Sequence, residues 1–198
     1  MWGHNNMDVS EKVVRAWATM RQMLDDRGVA YPAAVGIGDL EVRELAKDFT
    51  TFGITINETS AVAFHTSSTT IKKTDLFNAV DGAVHVILVF HTKPQGTTTR
   101  SITAEGATKG VTFEFFELTP LQYNVSRHVY VPRHEKVPRE GVEAILKTYY
   151  LKSKFHLPQI LESDPMARYL GLKHGDVVKI TRPSHNCGNT VFYRCCRA

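Results

Sequence analysis

Gly82-Ala83-Val84-His85-Val86-Ile87-Leu88-Val89-Phe90 is the stretch whose reading decides the fold. From Val84 to Phe90 it is apolar at nearly every position, broken only by His85, and rich in β-branched residues. That suits a strand covered on both faces, and such a strand needs helices over both sides of a mixed sheet. The run is far too short to cross a bilayer, so no transmembrane helix is expected.

Reading outward from this strand gives the rest of a first domain. Upstream, Ile54–Asn57 and Ala61–Phe64 flank Asn57-Glu58-Thr59-Ser60 and predict a hairpin, and Ile71–Val80 predicts a helix ending at Gly82. Nearer the N-terminus, Val13, Trp17, Met20 and Leu24 recur at helical spacing, with Ser10 as the expected cap and Gly28 as the expected stop. A second helix is expected from Asp39 as cap, with Val42, Leu45, Ala46 and Phe49 on one face. Downstream, Thr92–Arg100 contains Pro94, Gly96 and a threonine triplet, and predicts an exposed loop. Val111–Leu118 predicts a further strand, and the first domain is expected to span 1–125.

The remainder, 126–198, has its own pattern. Pro138 opens an expected helix with Val142, Ile145, Leu146 and Tyr149 as its stripe. Asp164-Pro165 makes a cap and first-turn proline for a short helix ending at Gly171. Val177–Thr181 and Thr190–Cys196 predict a hairpin around Pro183–Asn189. Over the full 198 residues, 42% are hydrophobic and 22% charged, which suffices for one good core or two small ones. Charge divides the chain more sharply than its +4 total suggests: 1–125 holds 11 Lys+Arg against 14 Asp+Glu, whereas 126–198 holds 13 against 6. The last third is therefore basic and suits an acidic partner, nucleic acid or protein, although solvated cationic faces give the same excess. The N-terminus has neither a basic nor an apolar signal region, and three cysteines crowded near the C-terminus make no disulfide framework. Both point to a reducing, intracellular setting.

Enzyme patterns fail on spacing. Nine histidines and three cysteines offer no C-x-x-C or H-E-x-x-H; His185 and Cys187 with Cys195 or Cys196 would be an incomplete zinc set beside the plainer reading of buried thiols. Gly36-Ile37-Gly38 is no phosphate loop, and G-x-S-x-G is absent. No lysine follows an acid at two positions, so the D/E-x-K arrangement of metal-dependent nucleases is missing. Asp25-Asp26 and the pair Glu114 and Glu117 read as solvated charge. No cofactor is expected.

The densest run of special residue types begins at Leu157-Pro158. It continues through Asp164-Pro165-Met166-Ala167-Arg168-Tyr169-Leu170-Gly171 and Gly175-Asp176-Val177-Val178-Lys179-Ile180-Thr181-Arg182-Pro183-Ser184 to Gly188 and Tyr193-Arg194. This string resembles the fifth subunit shared by eukaryotic nuclear DNA-directed RNA polymerases, a subunit with a counterpart in the archaeal polymerase. Asn124-Val125-Ser126, His128 and Val131-Pro132-Arg133-His134 resemble the family's approach to that domain. Val14–Gly28 and Val86–Arg100 resemble parts of the eukaryotic subunit's first domain, which the archaeal one lacks. A eukaryotic or large-DNA-virus protein is implied, a lineage-specific paralogue included.

The resemblance implies an α/β fold of two domains: a jaw domain with a mixed sheet flanked by helices at 1–125, and a small α/β assembly domain at 126–198. It implies a non-catalytic polymerase subunit in the nucleus, with the largest subunit, neighbouring small subunits and downstream duplex DNA as partners and no membrane. The expected DNA contacts are Lys93, Thr97, Thr98, Thr99 and Arg100, although solvation explains these side chains equally well. The expected partner contacts are Arg168, Tyr169, Lys179, Arg182, Tyr193 and Arg194. For Arg168 and Arg182 an internal pair with Asp176 or Glu162 is the competing reading. Two rival functions stand beside this one: a divergent nuclease-like enzyme, and a free-standing nucleic-acid-binding module.

Overall fold

The computed structural model describes residues 8–29, 38–67, 71–92, 94–184 and 188–198. The chain divides into two compact units, Met1–Tyr123 and Asn124–Ala198.

The first unit is built on β3, His85–Phe90, in which Val86 to Phe90 are each at most 3% exposed. Its partners are β2 (Ser60–His65) and β4 (Thr112–Glu117), both parallel to it, while β1 (Thr51–Asn57) closes the sheet antiparallel to β2 in the order β1-β2-β3-β4. Two parallel pairings require two crossovers, supplied by α3 (Lys73–Ala79) and α4 (Gly96–Thr108). Both pack on one face, where Leu76 and Ile102 join Ala61, Ala63, Val86, Leu88 and Phe113 in one core. The opposite face carries Phe64, which stacks on Phe52 at 5.4 Å and meets the Trp17 ring edge-on at 6.5 Å. Trp17 belongs to α1, Val9–Asp26, whose buried stripe also includes Val13, Met20 and Leu24. Gln122, in a 3-10 turn after β4, donates from Nε2 to the carbonyl of Lys12 at 3.0 Å, tying the end of this unit to its first helix.

Several expectations need correction. The segment expected as a loop at Thr92–Arg100 enters a helix at Gly96, because Ile102 and Gly106, four residues apart, bury one face of a continuous α4. Lys93 lies outside the described residues. The cap of α1 is Asp8, not Ser10; the Ser10 hydroxyl lies in the first turn and donates to the Asp8 carboxylate at 2.6 Å. Gly38, not Asp39, caps α2 (Asp39–Asp48), its N–H held by Glu41 Oε2 at 3.0 Å, and Phe49 is 54% exposed rather than on the packed face.

Glu114 is not solvated. Because β4 is an edge strand with α1 over one face, Glu114 faces inward to Arg27 at the end of α1, with Nη2 at 3.0 Å and side chains only 8% and 11% exposed. His85 Nε2 lies 3.2 Å from its other oxygen. Gly53 on β1 lies where strand and helix come close: a Cβ there would run into the Ala79 carbonyl of α3.

In the second unit the sheet order is β5-β7-β8-β6, from β5 (Arg133–Lys136), β7 (Val177–Ser184), β8 (Gly188–Arg197) and β6 (Gln159–Leu161). β7 is antiparallel to β5 and β8, and β6 is parallel to β8. The β7–β8 hairpin is longer than expected, its strands extending to Ser184 and from Gly188, and 185–187 lie outside the described residues. α5 (Arg139–Thr148) begins after Pro138 and packs Val142 against Val177, Cys195 and Leu157, while Tyr149, expected in the stripe, is 51% exposed. Asp164 caps α6 (Pro165–Tyr169) through Oδ1, which accepts from the N–H of Met166 at 2.8 Å.

Four variants test this packing. Gly53→Ala must push the α3 backbone away and is expected to cost about 1–3 kcal/mol in chemical unfolding. Gly96→Ala, with nothing within 4 Å of the new methyl, is expected to be neutral or stabilising. Arg27→Ala takes one partner from a buried carboxylate and is expected to cost about 3–5 kcal/mol, whereas the double variant Arg27→Met, Glu114→Leu regains most of that loss.

Candidate functional site

The β7–β8 hairpin carries four of the expected partner contacts and sorts them onto two faces. Cross-strand pairing sets Lys179 opposite Tyr193 on one face, and Arg182 opposite Thr190 and Arg194 opposite Val178 on the other. Between those two arginines on the second face lie Ile180 and Phe192, themselves paired. The result is a strip of Arg182, Phe192 and Arg194 in which all three side chains are exposed, Phe192 by 49%.

On the first face, Lys179 Nζ is 3.9 Å from Glu135, which also receives Arg133 at 2.7 Å. The ring of Tyr193 meets that of Tyr149 edge-on at 5.8 Å. Arg194 Nη1 donates to the carbonyl of Gln159 at 3.0 Å, which occupies part of a five-donor guanidinium. Asp176, expected as a partner for Arg168 or Arg182, instead holds Lys136 Nζ at 2.7 Å and the N–H of Lys173 at 2.8 Å. Arg168 is half-buried in the last turn of α6.

Tyr169 is 5% exposed, so its ring belongs to the interior rather than to a partner. Its hydroxyl accepts from Asn124 Nδ2 at 3.0 Å, while Asn124 Oδ1 takes the N–H and hydroxyl of Ser126 at 2.9 and 2.7 Å. Asn124-Val125-Ser126 is thus a fastening that locks the start of the second unit onto α6.

The hairpin is buried at one end and open at the other. Cys195 and Cys196, on opposite faces of β8, are both fully buried, and burial pushes both thiols up, that of Cys196 to about 11. They stay protonated at neutral pH, the wrong state for a nucleophile. His185 and Cys187 lie outside the described residues. Val191 and Phe192, by contrast, are 36% and 49% exposed, and neither stands out among the expected contacts. The available signal was the uninterrupted triplet Val191-Phe192-Tyr193, more apolar than one buried face requires.

Tyr150 is likewise absent from the expected contacts. Four helices, α1, α4, α5 and α6, end with the same pair of backbone bonds around a left-handed residue. In three of them that residue is Gly28, Gly110 or Gly171; after α5 it is Tyr150, at φ 53° and 94% exposed.

In the first unit, Thr97, Thr98, Thr99 and Arg100 of the expected DNA contacts fall at the start of α4, and Lys93 lies outside the described residues. Thr97 and Arg100 are exposed, whereas the Thr99 hydroxyl is taken up by the Gly96 carbonyl at 3.0 Å. Thr98 is half-buried.

The family match falls on the second unit. Residues 123–196 match the family described as RNA polymerase Rpb5, C-terminal domain. The chain is 41% identical over 88 residues to subunit rpabc1 of DNA-directed RNA polymerases I, II and III from Dictyostelium discoideum, covering 44% of each chain. It is 47% identical over 70 residues to DNA-directed RNA polymerase subunit Rpo5 of Methanocaldococcus jannaschii, 35% of this chain and 88% of that one. Against subunit 5B of RNA polymerases IV and V of Arabidopsis thaliana, identity is 39% over 82 residues, 41% of this chain and 37% of the relative. The match thus spans less than half of the two eukaryotic relatives and nearly all of the archaeal one. A unit that begins with the Asn124 fastening and ends at the buried cysteines of β8 therefore coincides with a shared domain, and through it the chain belongs to the Rpb5 family of DNA-directed RNA polymerase subunits.

Proposed function

We propose that this chain is a non-catalytic subunit of a multi-subunit DNA-dependent RNA polymerase in the nucleus, docking on the largest subunit through Asn124–Ala198 and reaching downstream duplex DNA through the first unit. One observation carries the docking role: the matched region covers 88% of the archaeal subunit, so this one unit is nearly everything that relative possesses. Physical argument points the same way. A unit of about seventy residues has a small core, and packing on a larger protein supplies buried area it lacks. It keeps Tyr130, Tyr150, Phe192 and Val129 at the surface, an unfavourable display for a chain that stands alone.

The DNA role rests on Arg100 at the exposed start of α4, with Lys93 shortly before it in sequence. A first domain of net −3 does not oppose this, since charges beyond roughly 8 Å are screened at physiological salt. The +7 of 126–198 then serves an acidic protein surface. A nuclease reading loses its best-placed acid, because Glu114 is engaged by Arg27.

Tagged full-length protein is expected to purify in stoichiometric amount with a large polymerase complex, and the fragment 124–198 to join that complex while 1–123 does not; the reverse outcome reassigns the two units. In assembled polymerase, Arg100→Glu is expected to lower the log–log salt slope of downstream duplex binding by about 1, with sequence preference unchanged. An unaltered slope removes this helix start as a phosphate contact.

A further inference from the structure

β8 has two backbone edges, and they are treated differently. Along one, β7 pairs from Gly188 to Cys195; along the other, β6 covers only Cys195 to Arg197. The direction of each residue follows from the bonds at the covered end. Cys195 donates to the Pro158 carbonyl at 2.8 Å and the Arg197 carbonyl accepts from Glu162 at 2.8 Å, both on the β6 side. Cys196 donates to Asp176 at 2.7 Å and accepts from Gly175 at 2.9 Å, both on the β7 side. By strand alternation, Val191 and Tyr193 present N–H and carbonyl groups on the β6 side, beyond the end of β6. Among the described residues these backbone groups have no hydrogen-bond partner.

The other open edge of the hairpin is closed by chemistry. β5 pairs with β7 only as far as Thr181, and the next residue facing that way is Pro183, which has no N–H to donate. Blunting of this kind is how proteins keep strand edges from pairing. The β8 edge has no such block: Val191-Phe192-Tyr193 is good strand sequence, and Phe192 is 49% exposed.

We propose that the β8 edge at Val191–Tyr193 takes an extended segment of another protein as an added strand, in line with β6. This rests on the reading of Asn124–Ala198 as the docking unit and names the chemistry of what it docks. The segment carries an apolar side chain beside Phe192 and a carboxylate beside Arg194, whose guanidinium keeps donors beyond the one given to Gln159. Charge decides against a second copy of this chain, since 126–198 carries 13 basic against 6 acidic residues and two such units repel. A nucleic acid has no alternating N–H and C=O row to meet a strand edge.

The test uses the tagged full-length chain, purified from the cells that make it, as wild type, Val191→Thr and Val191→Pro. Proline at 191 removes an N–H that the fold itself does not use. Wild type and Val191→Thr are expected to bring down the polymerase equally, and Val191→Pro about tenfold less while melting like wild type. Full recovery by Val191→Pro overturns the added strand and leaves the docking role standing. Failure of wild type to bring down a complex overturns the docking role and the added strand with it. If Val191→Pro misfolds, hydrogen exchange of the wild type decides: amides of Val191 and Tyr193 fast in the free chain and slowed in the complex support the proposal, and amides equally fast in both overturn it. A free chain that is already a dimer, with those amides slowed, overturns it in favour of self-pairing.

Discussion

Val86 to Phe90 offer water almost nothing, and a strand buried on both faces leaves the surrounding chain little choice. Its neighbours on both sides run parallel to it, so each connection must cross the sheet, and α3 and α4 are those connections. Once they fill one face, the other must be closed by a helix from elsewhere in sequence, which is α1. The inward turn of Glu114 follows, because the edge strand β4 has one face under α1. Its carboxylate then needs Arg27 at the end of that helix.

What was legible in the sequence follows from how local each signal is. The β1–β2 hairpin, β3 and the Asp164-Pro165 cap are set by residues within a few positions, and the structure places them where those residues point. Thr97–Thr99 misled because threonine, glycine and proline together look like a loop; the helix there is stabilised by Ile102 and Gly106 reaching the sheet, a contact no window around the threonines contains. Glu114 misled for a related reason. Its partner lies 87 residues away in α1, and only the finished sheet makes them neighbours. At the hairpin, Lys179 and Tyr193 are brought together by register, while Arg168 and Tyr169 sit on α6 and Tyr169 turns inward.

The second unit distributes its apolar residues unevenly. The Cys195–Cys196 end of β8 is sealed on both faces, yet Phe192, a few residues before it, stands half in water. Tyr150 shows the same imbalance in backbone terms, since a left-handed position filled elsewhere by glycine here carries a large exposed ring. Neither feature helps the unit fold by itself. Both are consistent with a surface finished by another molecule.

The bond from Gln122 to Lys12 has a consequence for synthesis. Because the last turn of the first unit closes on its opening helix, and Trp17 rests on a sheet whose central strand begins at His85, α1 cannot acquire its native neighbours while the ribosome is still making the middle of the chain. Its apolar stripe waits, exposed, until β4 has emerged from the exit tunnel. The second unit imposes a wait of its own, since Val142 of α5 packs against Cys195 and that neighbour exists only once β8 has been made.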